Sequence, residues 1–179
     1  MIEFETEHLM LRQWREEDFS SYSKLTSNKD VMKFFPKLLT LEESNIAAKK
    51  FQQLIKTRGW GFWVVEEKVT KRFVGYAGLH APKTLFPFSP CIEIAWRMQE
   101  QDWDNGYMLE SGKAILELAF SKFHFDEIVY FSSIKNEKAK KYMLELGMVE
   151  DKKRFFHPFV DIGHDLSEHY LYRIKKYKV

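Results

Sequence analysis

At 179 residues, 45% of them hydrophobic and 30% charged, the chain is long enough to bury a full core and reads as one soluble globular domain over 1–179. Lys and Arg number 28 against 26 Asp and Glu, and the resulting net charge of +2 is too balanced to indicate a nucleic-acid partner. No stretch approaches the apolar length of a membrane span, the acidic start MIEFETEHLMLRQW lacks a secretory pattern, and the single cysteine, Cys91, excludes an internal disulfide framework. These features predict a cytoplasmic protein, in which the basic tail Arg173 to Lys178 is a solvated chain end and Cys91 a small buried hydrophobe rather than a nucleophile.

His8 to Trp14 alternates in the manner of a first strand buried largely on both faces. Two short helices are predicted next, Glu16 to Leu25 and Asn28 to Phe35, the second stopped by Pro36. Thr40 followed three residues later by Glu43 is a capping-box pattern, opening a helix whose apolar face is Ala47, Ala48, Phe51, Leu54 and Ile55. The period then changes to two. Trp60 to Glu67 and Arg72 to Leu79 read as a β-hairpin, with Gly75 and Gly78 marking a bulge or a close backbone approach. The segment 81–90, with three prolines, is an extended surface loop.

Strand Ile92 to Met98 leads through a polar loop ending at Gly106 into a long amphipathic helix. Its stripe is Met108, Gly112, Ile115, Leu116, Ala119, Phe120 and Phe123. A loop feeding a helix N-terminus leaves backbone N–H groups without intrahelical partners and so favours anionic groups such as phosphates, although an ordinary strand–loop–helix connection reads the same way. Strand Glu127 to Ser133, helix Asn136 to Leu146 stopped by Gly147, and two strands near Val149 to Phe156 and Glu168 to Ile174 complete an α/β pattern with a mixed sheet.

In order and spacing these segments resemble the GCN5-related N-acetyltransferase (GNAT) superfamily, in particular its ribosomal-protein N-acetyltransferase-like (RimJ/RimL type) branch. The matching pieces are Glu7 to Arg12, Gly75-Tyr76-Ala77-Gly78-Leu79, Pro87-Phe88-Ser89-Pro90 before Glu93-Ile94-Ala95-Trp96-Arg97, Trp103 to Gly106, Asn136 and Leu146-Gly147-Met148. Late in the chain, Phe156-His157-Pro158, Gly163-His164 and His169 to Arg173 also match. The resemblance implies a mixed, mostly antiparallel sheet flanked by helices, with a central parallel strand pair that splays apart to take acetyl-CoA as cosubstrate. It places the CoA pyrophosphate on the loop after the first splayed strand, where Gln101, Asp104 and Gly106 meet the family pattern Q/R-x-x-G-x-G/A, with Trp103, Asn105 and Tyr107 alongside. Asp104 replaces a glycine, and a carboxylate beside pyrophosphate is a like-charge pair, which predicts weaker binding than an Asp104→Gly variant.

Acetylating an amine requires a neutral amine, a polarised thioester carbonyl and a proton for the departing thiolate. By resemblance a backbone N–H at Met98 or Gln99 polarises the carbonyl, Glu93 is the base, and Asn136 contacts the cofactor arm as well as capping its helix. A carboxylate of ordinary pKa near 4 is a poor base unless burial raises it, and Glu93 could equally orient substrate or pair with a basic residue; Arg97 shares its strand face. For the proton, Ala139 and Met143 stand where relatives carry Ser and Tyr. Tyr142 lies one residue early, about a hundred degrees around the helix, and is therefore either the acid or a core residue. Phe86 and Phe88 on the proline loop, with Trp96, are the expected substrate contacts. The six histidines form no zinc spacing, so no metal is expected.

The sequence thus predicts direct acetyl transfer to a primary amine, a protein N-terminus or a small molecule. A catalytically weak acyl-CoA-binding or regulatory protein on the same fold is the alternative, and an RNA-binding module is disfavoured by the charge balance. A homodimer, formed by adding the C-terminal strand to a second sheet, is left open.

Overall fold

The computed structural model describes residues 3–176, so Tyr177 and Lys178 of the basic tail lie outside the described residues. In chain order the elements are β1 (Phe4–Glu5), β2 (Leu9–Arg12), α1 (Asp18–Ser27), α2 (Leu41–Arg58), β3 (Phe62–Glu67), β4 (Phe73–His80), β5 (Glu93–Met98), a 3-10 turn (Glu100–Asp102), α3 (Tyr107–Ser121), β6 (Glu127–Ser133), α4 (Glu137–Glu145), β7 (Val149–Glu150), β8 (Phe155–Phe156) and β9 (Glu168–Lys175). The strands form one mixed sheet in the order β1-β2-β3-β4-β5-β6-β9-β7, with β8 also on β9. Every pair is antiparallel except β5–β6, which is parallel.

Local chemistry explains most boundaries. Thr40 and Glu43 form the expected reciprocal capping box on α2. Asp18, at the start of α1, is buried because its carboxylate takes both terminal nitrogens of Arg12 at 2.8 Å; Arg12 Nε in turn donates to Glu66 at 2.7 Å, tying β2, α1 and β3 together. The expected helix at Asn28 to Phe35 is instead a run of turns. The Asn28 side chain accepts the N–H groups of Asp30 and Val31, and one α-type bond forms, from Met32 to the Asn28 carbonyl, before tighter turns and Pro36 end it. The expected strand at Val149 to Phe156 is broken into β7 and β8, because Asp151 accepts the Lys153 N–H and pairs with Arg173 and so turns the basic run 152–154 outward.

All seven residues Phe73 to Leu79 of β4 are buried, which requires cover on both sheet faces. α1 and α2 supply one, through the rings of Tyr22 and Phe51, joined by Trp14 from the β2–α1 connection, against Phe62 and Tyr76. α3 packs on β4 and β5 and holds α4 beside it, Leu146 fitting where Gly112 has no side chain. Gly75 and Gly78 meet the expectation of close approach: a Cβ at Gly78 would stand 1.9 Å from the Gly61 carbonyl oxygen and one at Gly75 2.2 Å from that of Arg97, beside a register shift in the β3–β4 ladder.

β5 and β6 are joined by one rung only. Glu93 pairs with Val129, the Val129 N–H reaching the Ile92 carbonyl at 2.9 Å; beyond this point the strands run on without pairing to Met98 and Ser133. Each keeps its other edge fully paired, β5 with β4 and β6 with β9, so the sheet stays whole around a gap.

Candidate active site

A cavity of about 620 Å³ passes through this gap and is lined by both faces of β5, from Glu93 and Ala95 to Met98, together with Trp103, Met108, Tyr130, Ser132, Asn136, Ala139 and Tyr142. Backbone direction alternates along a strand. The Gln99 N–H points to β4, where it donates to the Val74 carbonyl at 2.9 Å, so the backbone of Met98 points to the open side. The Met98 carbonyl there accepts the Trp103 indole N–H at 3.1 Å, and the Met98 N–H is left facing the gap as a fixed donor. Of the two residues foreseen for this role, Met98 faces the gap and Gln99 is committed to the sheet.

The loop after β5 is built on a buried carboxylate. Asp102, 1% exposed, takes two 2.7 Å bonds from Arg72 and a longer one from the Asn105 side chain, while the Gln99 side chain donates to the Phe73 carbonyl and is met by Gln101. Gly106 follows with φ 77°, the left-handed turn that starts α3, and no side chain caps the helix. Glu110 makes the first intrahelical bond, to the Gly106 carbonyl, leaving the N–H groups of Tyr107, Met108 and Leu109 at the open end. Tyr107 contributes backbone only, since its hydroxyl is turned away onto Glu67 at 2.7 Å. Asp104 is exposed and is not among the residues with positive φ, so its backbone needs no glycine; its carboxylate lies near enough to Tyr142 to raise the pKa of that hydroxyl.

At the other end of β5, Glu93 is packed into the cavity wall with 13% of its side chain exposed. Burial raises its pKa above the ordinary carboxylate value, an effect that His80, with Nδ1 3.4 Å from Glu93 Oε2, partly offsets. Arg97, on the same strand face, is not its partner: the guanidinium lies 3.8 Å from the Phe35 ring and 5.7 Å from that of Tyr76. Phe34, Phe35, Phe62 and Tyr76 complete this side. The 28–36 segment reads as helix in the sequence, with nothing to mark it as a cavity wall, and Arg97 stands there only as a residue on the Glu93 strand face.

Asn136 stands at the N-terminus of α4 but does not cap it. Its side-chain amide donates instead to Ser132 Oγ at 3.1 Å, and its backbone carbonyl accepts the Tyr170 hydroxyl at 2.8 Å. Ala139 lines the cavity and Met143 is fully buried. Tyr142 is half-buried in the cavity wall; its hydroxyl donates to the Trp103 carbonyl at 3.1 Å, and burial raises its pKa, so the proton is retained near neutrality. Trp96 stacks on Tyr130 across the gap at 5.3 Å. Phe86 and Phe88 stand outside the cavity lining: they stack on each other and pack against Phe131 and Phe155 in a small second core behind it. Cys91 has its thiol pushed up to about 11 by burial, which suits an inert side chain. Among the described residues no group of three His, Cys, Asp or Glu is placed to hold a metal ion, and no helix is long and apolar enough to cross a membrane.

Residues 8–149 match the family model of the acetyltransferase (GNAT) domain. An uncharacterized N-acetyltransferase of Bacillus subtilis, YoaA, is 24% identical over 149 residues, covering 82% of each chain. The crystal structure of a GNAT-family acetyltransferase from Bacillus anthracis superposes with a TM-score of 0.80 at 22% identity over 97% of this chain and 98% of that one. Spermidine N-acetyltransferase from Vibrio cholerae, in complex with CoA and spermine, gives 0.73 at 18% identity over 94% and 95%. With the family model covering most of its length and its sheet opened at one parallel strand pair, the chain belongs to the GNAT acetyltransferase family and is an acetyltransferase.

Proposed function

We propose that the protein is an acetyl-CoA-dependent N-acetyltransferase of the RimJ/RimL type that moves the acetyl group directly to a primary amine. The observation that carries this reading is the gap between β5 and β6, with the Met98 N–H facing into it and the Met98 carbonyl fixed by Trp103. Acetyl-CoA enters as substrate from the side of Trp96, Trp103 and Tyr130, its pyrophosphate against Gln101, Asp104, Asn105 and the N–H groups from Gly106 and Tyr107 onward, with Gln99 and Asn136 bracing the turns on either side.

Glu93 accepts the ammonium proton, directly or through water. The neutral amine nitrogen then attacks the thioester carbon; the C–N bond forms, the Met98 N–H takes the developing oxyanion, and as the C–S bond breaks the nitrogen gives up its second proton to water, from which Tyr142 is reprotonated, while Glu93 returns the first proton to solvent. Tyr142 is the only hydroxyl-bearing residue of α4 and lines the cavity; we assign it the proton that the departing thiolate takes up. Phe86 and Phe88 support the acceptor wall from behind rather than touching substrate.

The test is incubation with acetyl-CoA and a panel of primary amines, following thiol release and acetylated product by mass. Transfer to at least one amine, reduced about a hundredfold by Glu93→Gln, is expected. Saturable CoA binding with no transfer to any amine would replace this reading with that of a weak acyl-CoA-binding protein, which Asp104 and Ala139 would then explain.

A further inference from the structure

Among the described residues, one buried side-chain nitrogen or oxygen has no hydrogen-bond partner, and it is Arg97 Nε. A buried polar group left unpaired costs free energy, and a cation more, so such groups in folded proteins call for a reason. Arg97 also makes no ion pair among the described residues, whereas the buried arginine of the fold, Arg12, is held by two carboxylates. The guanidinium lies against the faces of Phe35 and Tyr76 in the wall of the cavity. Aromatic faces hold the guanidinium plane and, with Nε itself buried, leave the two terminal N–H groups as the edge that matches a carboxylate.

Its position along β5 adds direction. Glu93 and Arg97 share one strand face, four residues and so roughly 13 Å of backbone apart, and they are not paired with each other, since Glu93 has His80. The face therefore presents a carboxylate and an uncommitted guanidinium separately to the same cavity. We propose that the acceptor is a primary amine that also carries a carboxylate, its amine between the Met98 N–H and Glu93, which it reaches directly or through water, and its carboxylate on the Arg97 guanidinium. This rests on the transferase reading and narrows it: polyamines, which carry no anion, leave Arg97 unpaired and are poor acceptors.

The experiment compares kcat/KM for acetylation of matched pairs: glycine, β-alanine, γ-aminobutyrate and glycylglycine, each against its C-terminal amide, with native protein and Arg97→Gln. In parallel the Arg97 guanidinium N–H resonances of 15N-labelled protein are followed as the same compounds are added without acetyl-CoA. At least one pair is expected to favour the carboxylate by about tenfold or more, a charge-assisted bond being worth that much, and the ratio is expected to fall to near one in Arg97→Gln, with Arg97→Lys restoring part of it. A native ratio near one for every amine that is acetylated would overturn the inference and leave the transferase standing, as would a preference that survives Arg97→Gln. If no amine is acetylated the transferase reading fails on its own. The resonances then decide the site: a saturable downfield shift of the terminal N–H groups with the carboxylates but not their amides upholds it, and unmoved resonances overturn it.

Discussion

His80 and Glu93 are register partners across the β4–β5 ladder, and His80 Nδ1 lies 3.4 Å from Glu93 Oε2 as the one side-chain neighbour that favours the ionised carboxyl. Burial pushes the other way and wins, so Glu93 is protonated at a higher pH than an exposed glutamate. The base must be ionised, so kcat/KM is expected to fall on the acid side with a midpoint above the ordinary carboxylate range. His80→Gln removes the neighbour that stabilises the charge and is expected to move this midpoint to higher pH. A pH–rate profile with an acid limb that stays in place in His80→Gln would separate the limb from Glu93.

Tyr142 holds the Trp103 carbonyl and supplies the only hydroxyl of α4. If its proton goes to the thiolate, Tyr142→Phe lowers kcat by about tenfold or more while the Kd for CoA changes less than about threefold. Single-turnover kinetics and a CoA titration separate the two. Unchanged turnover would show that water protonates the thiolate and that Tyr142 only braces the loop.

Because Asp104 does not adopt positive φ, the weaker CoA binding expected of it is an effect of charge rather than of backbone strain. Asp104→Asn is therefore expected to tighten CoA binding by a few-fold, to nearly the same degree as Asp104→Gly, with the gain shrinking as salt is added. A gain confined to the glycine variant would assign the effect to backbone approach instead.

His169 is buried beside Phe131, Phe155 and His157, and burial is the main reason its pKa falls from 6.5 to about 4; its bond to the Ser167 carbonyl opposes the shift and His157 adds to it. The folded state thus holds the ring neutral while the unfolded chain takes up a proton below about 6.5, so stability is full above that pH and is lost as pH falls towards 4. The loss is on the order of 3 kcal/mol. His157, shifted the same way by burial, contributes in the same window. Urea midpoints between pH 7 and 4 should fall less steeply for His169→Gln than for the native chain, whatever that variant's stability at pH 7.

The parts of this molecule set by local periodicity and turn chemistry were readable in the residues: the capped α2, the β3–β4 hairpin with its two close-approach glycines, the stripe of α3 and the Gly106 turn all follow from patterns of a few residues. What was not readable depended on partners distant in sequence. Asn136 has the right residue type for a cap, yet its side-chain amide is turned onto Ser132 instead. Phe86 and Phe88 look like loop aromatics free to meet substrate, but Phe131 and Phe155 give them a core of their own. The cavity wall at Phe34 and Phe35 was hidden because an Asn28 turn and a helix start share the same first bonds.

The account turns on whether the β5–β6 gap takes acetyl-CoA. Calorimetric titration of the native chain and of Gly106→Val with acetyl-CoA tests this most directly, since valine cannot readily take the φ of 77° that opens the α3 cradle. Saturable one-to-one binding by the native chain, with affinity reduced about tenfold or more in a folded Gly106→Val, is the predicted result. Absence of binding by both the native chain and Asp104→Gly would contradict it.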